Sequence, residues 1–270
     1  MEPAASVMAV VTAWLRDLAG AWVFYSVLPA WPGLRPRFQR IARFAPWIGV
    51  AIAMVQVCLW LVLLPLGWPP SAVVLLLLTV GVWITGGLHI DGVMDTADGL
   101  AAGPARCLEA MEDSRVGASG VQALATVLML QFAALWCLAA QDVAFVPIAL
   151  VSAAFWGRCA PLWALLRFPY LKVDGTAAFH RSGAKGLREW FPALLLVLAA
   201  LGVAVVCQRL LPWVVITTTG LIISAGTAEY FGRRLGGHTG DSYGAVVVWS
   251  EALILVLLAA LLPPLASAAV

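Results

Sequence analysis

The chain reads as an all-α, polytopic integral membrane helix bundle, with about seven transmembrane helices plus an N-terminal interfacial or re-entrant helix. Three observations predict this. Apolar residues make up 63% and charged residues 11%, with a mean hydropathy of +0.96, where soluble domains hold about 45–50% and about 25%. The apolar residues fall in runs long enough to cross a hydrocarbon core about 30 Å thick. No sustained period-two alternation, the mark of a membrane barrel, runs through them. At 270 residues these spans leave no room for a separate soluble unit, so 1–270 is read as one membrane-embedded domain.

The elements follow in order. Residues 5–30 are apolar, interrupted by Arg16 and Asp17 and closed by Pro29, which suits an interfacial or re-entrant helix, or a short span. Arg35, Arg37, Arg40 and Arg43 come next without an acidic neighbour, a cytoplasmic anchor by the positive-inside rule. Spans are expected at 44–66, 71–88, 120–140, 144–166, 190–206, 213–228 and 245–262. Alternation then places loops 91–118, 167–189 and 229–244 on the anchor's side. The opposite connections, 67–70, 141–143 and 207–212, hold only Asp142 and Arg209. Charge and alternation agree, so the three polar loops face one compartment and can share one site.

Other classes find no support. The five cysteines are scattered without a C-x-x-C pair and read as small buried hydrophobes. No basic n-region with an A-x-A cleavage site opens the chain, so no removable signal peptide is expected. P-loop and nucleophile-elbow motifs are missing, and the basic residues follow membrane sidedness rather than a nucleic-acid pattern.

Polarity concentrates in residues 85–120. Of 14 acidic residues in the chain, Asp91, Asp95, Asp98 and Asp113 fall within 23 positions. The first three, at i, i+4 and i+7, share one helix face. Carboxylates about 5 Å apart at an effective dielectric near 20 repel by about 3 kcal/mol per pair, so a cation belongs there: arginine, or a divalent metal such as Mg²⁺ with phosphate. The competing reading is a solvated helix end, with Asp91 and Asp113 as caps. Carboxylates at the mouth of a bundle otherwise starved of charge favour function.

Gly99, Gly103 and Pro104 interrupt that helix; a short helix over 105–112 and a new span opened by Gly117 and Gly120 follow. Helix starts offer free N–H groups to anions, and Arg115 can add a bidentate phosphate contact. His89, two residues before Asp91, faces away on a straight helix. Arg158 and Glu251 lie inside spans, where each needs a partner or a wet cavity. Lys172, His180, Arg181, Lys185 and Arg188 populate one polar loop. His238 to Asp241, among Gly232, Gly236 and Gly237, suit close backbone approach.

The run Gly86 to Gly99 (GGLHIDGVMDTADG) closely resembles the signature of the cobalamin synthase family, the adenosylcobinamide-GDP ribazoletransferases. Met111 to Gly117 (MEDSRVG) resembles its second block and Arg233 to Gly244 (RRLGGHTGDSYG) its C-terminal block. The three occur in order, with matching spans between, over most of the chain. Two positions depart: Glu112 stands where that family often has Lys, and the arginine usual two residues before Pro29 is missing.

The resemblance implies a single catalytic domain, in a bacterial or archaeal cytoplasmic membrane with its site facing the cytoplasm. It would join adenosylcobinamide-GDP to α-ribazole or its 5′-phosphate, releasing GMP, with Mg²⁺ as cofactor. Asp91, Asp95, Asp98 and Asp113 would hold the metal. Arg115, Arg158, Lys172, His180, Arg181, Arg233, Thr239 and Asp241 would contact substrate. His89, Asp98 or Asp113 would act in proton transfer. Partners implied are the two substrates and the lipid bilayer, with room for a homo-oligomer or other cobalamin-pathway enzymes. Two other readings compete. A CDP-alcohol phosphotransferase or aspartate-rich prenyltransferase lacks its expected blocks. A secondary transporter would carry its carboxylates near the midplane, with an internal repeat.

Overall fold

A computed structural model describes residues 2–172 and 185–267. Ten α-helices are found among them, and no strand beyond an isolated bridge between Tyr170 and His238. The predicted all-α membrane bundle is borne out.

Helix α1 (Glu2–Tyr25) is continuous and falls outside the set apolar and long enough to cross a membrane. Asp17 on it is buried and binds both Arg37 and Arg43. The Arg43 guanidinium also lies 4.4 Å from the Trp14 ring centroid, a cation–π contact. The basic stretch read as a bare anchor is therefore partly tied down by an acid 20 and more residues upstream. A 3₁₀ turn, Ile41–Phe44, leads into α2 (Ala45–Leu63), with proline in its first turn, where the missing N–H costs nothing.

Next come α3 (Pro70–Ile84), α4 (Leu88–Ala101), the single turn α5 (Cys107–Ala110) and α6 (Ala118–Gln141). Then α7 (Phe145–Arg167), α8 (Phe191–Val206), α9 (Leu210–Leu235) and α10 (Gly240–Ser267) complete the chain. Six stretches pass for spans among the described residues, and a seventh if α3 and α4 count as one span bent by 87°.

Contacts settle how α3 runs. At one end of the bundle the Trp60 indole N–H donates to the Val143 carbonyl at 3.2 Å. At the other, Lys172 pairs with Glu112 at 3.6 Å and Asp241 at 3.0 Å. Helix α3 therefore travels from the 63/143 end to the 112/172/241 end, and the expected alternation of loops holds. Three expectations on extent are corrected, the first being the loop drawn over 229–244, which closes to 236–239 because α9 runs on to Leu235 and α10 starts at Gly240. The span drawn over 71–88 stops at Ile84, because consecutive left-handed glycines, Gly86 (φ 62°) and Gly87 (φ 75°), turn the chain. The helix drawn over 105–112 shrinks to one turn, with Gly103 (φ 83°) and Pro104 before it and too few apolar positions to hold more.

Helix α10 is the central post, packed on α4, α6, α7 and α9. The mid-bundle core joins Trp60, Leu77, Leu135, Leu138, Ile254 and Leu258, all at most 1% exposed. The other end carries the polar chemistry.

Candidate active site

The site begins with the Gly86–Gly87 turn. L-residues other than glycine resist positive φ, so this pair can fold α4 back across the bundle's mouth. Helix α4 then crosses α10 backbone to backbone. A Cβ on Gly92 would collide with the Asp241 carbonyl, and one on Gly244 would lie 3.2 Å from His89 Cα. These two glycines bring the acidic helix against the start of α10.

That start is fixed by a reciprocal cap. The Thr239 N–H donates to Ser242 Oγ at 2.8 Å and the Ser242 N–H to Thr239 Oγ1 at 3.2 Å, a capping-box geometry. His238 anchors the corner, with Nε2 3.1 Å from the Ala228 carbonyl and Nδ1 3.0 Å from Ser242 Oγ. Because a carbonyl only accepts, Nε2 carries the proton. Burial lowers the His238 pKa to about 4, against the opposing pull of the Ala228 bond.

Below the crossing lies a cavity of about 170 Å³, lined by Tyr25, His89, Asp91, Arg158, Asp241 and Tyr243 together with apolar side chains from α1, α2 and α7. A smaller cavity of about 70 Å³ lies deeper, lined in part by Gln56, Gln131 and Glu251. His89 and Arg158 line both. Arg158 and Glu251 answer each other: Nη1 donates to Oε1 at 2.6 Å across α7 and α10, and also to the Ala154 carbonyl at 3.1 Å. His89 is 7% exposed, stacks on Tyr25 at 6.2 Å, and its ring nitrogens meet no hydrogen-bond partner among the described residues.

Negative charge gathers above. Asp91, Asp241 and Asp98 all act on Asp95, with Lys172 as the opposing cation. Lys172 donates to Asp241 at 3.0 Å. Burial disfavours its charge, but the bond to Asp241 and the charges of Asp241 and Glu112 outweigh that and raise its pKa. Glu112, the departure from the family's usual lysine, thus meets a lysine from another loop.

Several expected residues are placed elsewhere. Both Asp98 oxygens accept backbone N–H groups at the start of α6, from Gly117 and Gly120 at 2.8 Å each, so this carboxylate caps a helix. Asp113 is gripped by Arg115 through side-chain bonds of 2.6–3.1 Å and a backbone bond of 3.0 Å, which hold its pKa near 2. The pair sits in solvent, and Arg115 is 88% exposed. Arg233 pairs with Glu229 at 2.9 Å, outside the cavity. Thr239 is buried as the cap. His180 and Arg181 lie outside the described residues. Among those described, no three His, Cys, Asp or Glu side chains already surround a common metal point.

Sequence reasoning missed Tyr25, Tyr243, Gln56 and Gln131. The glutamines carried a signal, being amides inside apolar spans; the tyrosines had none apart from their neighbours.

These features define the class: an integral membrane protein with its charged groups gathered in a cavity at one end of the bundle. A family model described as cobalamin-5-phosphate synthase matches residues 17–259. Relatives named adenosylcobinamide-GDP ribazoletransferase are similar along nearly the whole chain. That of Prochlorococcus marinus (strain MIT 9313) is 58% identical over 262 residues, covering 93% of this chain and 97% of its own. That of Trichormus variabilis is 38% identical over 248 residues, covering 90% and 96%. No solved structure matches. The chain belongs to the cobalamin-5-phosphate synthase family, and is a transferase of cobalamin biosynthesis.

Proposed function

We propose that this protein joins adenosylcobinamide-GDP to α-ribazole or its 5′-phosphate and releases GMP, in a Mg²⁺-dependent reaction at the cytoplasmic face of the cell membrane. The observation that carries the reading is the carboxylate surplus beside the cavity, where Asp91 and Asp241 line the wall and act together on Asp95, with Lys172 the opposing cation. A diphosphate would be repelled from such a wall without a cation, and one or two carboxylates completed by substrate phosphates suit Mg²⁺. Asp91 and Asp95 would hold the ion, which would neutralise the diphosphate and the departing GMP.

The remaining steps belong to the chain's own residues. A ribose hydroxyl attacks the phosphorus next to the corrinoid side arm, the bond to the bridging oxygen breaks, and GMP leaves with that oxygen. Asp241, oriented by Lys172, accepts the hydroxyl proton as the new P–O bond forms. Phosphoryl transfer asks chiefly for positioning and charge neutralisation. The Gly92/Gly244 crossing supports this by fixing α4 against α10. The capped Asp98 supports the same end from the side of α6.

The test uses purified protein in lipid with Mg²⁺. GMP release from adenosylcobinamide-GDP is expected only when ribazole or its phosphate is present. Asp95→Ala should lower kcat by at least about 100-fold, the scale of losing one electrostatic stabiliser. Ribazole-independent release, no release, or full activity of Asp95→Ala would overturn the reading.

A further inference from the structure

Two substrates of very different size must meet at this site, and the cavity beneath α4 has room for part of one. Its volume is about 170 Å³. A dry protein cavity of about 150 Å³ admits a benzene-sized ring, whereas whole drug-sized ligands occupy about 300–1,000 Å³. A corrin macrocycle does not fit. A flat ring of one or two cycles does.

The lining points the same way. Apart from the carboxylates at the rim and the Arg158 guanidinium, which Glu251 and the Ala154 carbonyl hold, the walls are largely apolar, with Phe24, Ala45, Leu165 and Val247 among them. Tyr25 and His89 supply parallel ring faces, 15° apart in plane. The uncommitted hydrogen-bonding groups on the walls away from the rim are two nitrogen sites, the imidazole of His89, more than nine-tenths buried, and the buried Nε of Arg158. A guanine would bring an exocyclic amine and a ring N–H into walls where, the rim carboxylates apart, the free groups are N–H donors. Each left without a partner costs about 1–3 kcal/mol. A benzimidazole carries a single free ring nitrogen, which one imidazole N–H satisfies.

Resting on the reading above, we propose that this cavity is the subsite for the benzimidazole base of the ribazole, with His89 donating a hydrogen bond to its free ring nitrogen. The guanine and the corrinoid stay outside, beyond the aspartates. The ribose then lies between base and mouth, which sets its hydroxyl beside Asp241. His89 becomes a specificity residue rather than the proton acceptor.

The test begins with the unmodified protein. Free benzimidazole should inhibit GMP release competitively with ribazole and non-competitively with adenosylcobinamide-GDP, and guanosine should inhibit at least about 10-fold less well. Competition with the corrinoid substrate, no inhibition by benzimidazole, or guanosine inhibiting as well would overturn the proposal. Filling the cavity with Ala45→Phe should raise KM for ribazole at least 10-fold and leave KM for adenosylcobinamide-GDP unchanged. The reverse pattern would also overturn it. An indole nucleoside, which lacks the free nitrogen, should bind more weakly than ribazole to the wild type and equally to His89→Ala. Equal binding of both by the wild type would overturn it. Failure of the parent reading looks different, since wild-type protein would then release no ribazole-dependent GMP.

Discussion

Asp95 and Asp98 are three positions apart and have opposite fates. Asp98 spends both oxygens on the first N–H groups of α6, whereas Asp95 stands among like charges. Asp98→Ala should lower thermal stability by about 1 kcal/mol, the usual cost of a lost cap, with Asp95→Ala as the contrasting loss of turnover at unchanged melting temperature. Paired melting curves and GMP assays separate them. The i, i+4, i+7 spacing correctly announced a helix with an acidic face. It could not tell which carboxylate would turn aside, because the competing N–H groups arrive 19 and 22 residues later.

Arg158 and Glu251 teach the same lesson at longer range. Each stood out as a charge inside an apolar span, but 93 positions separate them, and only packing reveals the pair. Glu251→Ala should strand a guanidinium that is 4% exposed, at a cost of about 3–5 kcal/mol, read as a lowered melting temperature. His238 adds a pH dependence. Its folded pKa, near 4, lies below the unfolded value of about 6.5, so the unfolded chain binds more protons between the two. Stability should therefore be full above pH 6.5 and fall as pH drops toward 4, by an amount on the order of 3 kcal/mol. His238→Asn should flatten that acid limb.

At the scale of elements, the site depends on two crossings that glycine permits. A residue with a side chain at Gly87 must enter the left-handed region, at about 1–2 kcal/mol, and a Cβ at Gly92 meets the Asp241 carbonyl. Gly92→Leu should push α4 off α10 and reduce GMP release by more than 10-fold while the protein still inserts and purifies, checked by turnover and helical circular dichroism. Apolar character alone carried the span drawn over 71–88 past Ile84, because Leu88 resumes it after Thr85, Gly86 and Gly87. The Gly86–Gly87 pair was visible but read as part of a motif rather than as a bend. Helix α5 was overdrawn for a related reason: breakers mark where a helix can start, and tertiary contacts decide how long it lasts.

At the scale of the molecule, charge alternation along the chain was sufficient to pair the correct loops. Lys172 touching both Glu112 and Asp241 brings one representative of each polar loop to the same end. Cysteines placed at Asp142 and Gln208, in a cysteine-free background, should react with a membrane-impermeant thiol reagent added to intact cells. Cysteines at Arg188 and Arg234 should react only after permeabilisation. The reversed pattern would invert the bundle in its membrane. What the linear sequence withheld was the interior, where cavities arise from helices that neighbour one another in space alone.

Helix α3 has 15 residues and so rises about 22 Å at 1.5 Å per residue, against a hydrocarbon core about 30 Å thick. A short span is met by local thinning of the bilayer, by flanking side chains reaching the interface, or by association, and thinning here would cover roughly the missing 8 Å. The acidic helix lies where that dent would form. A water-soluble corrinoid could then reach a reaction centre set beneath the headgroup plane without entering oil. Turnover should accordingly rise in bilayers of shorter acyl chains and fall in longer ones, which makes membrane thickness itself a control on the enzyme.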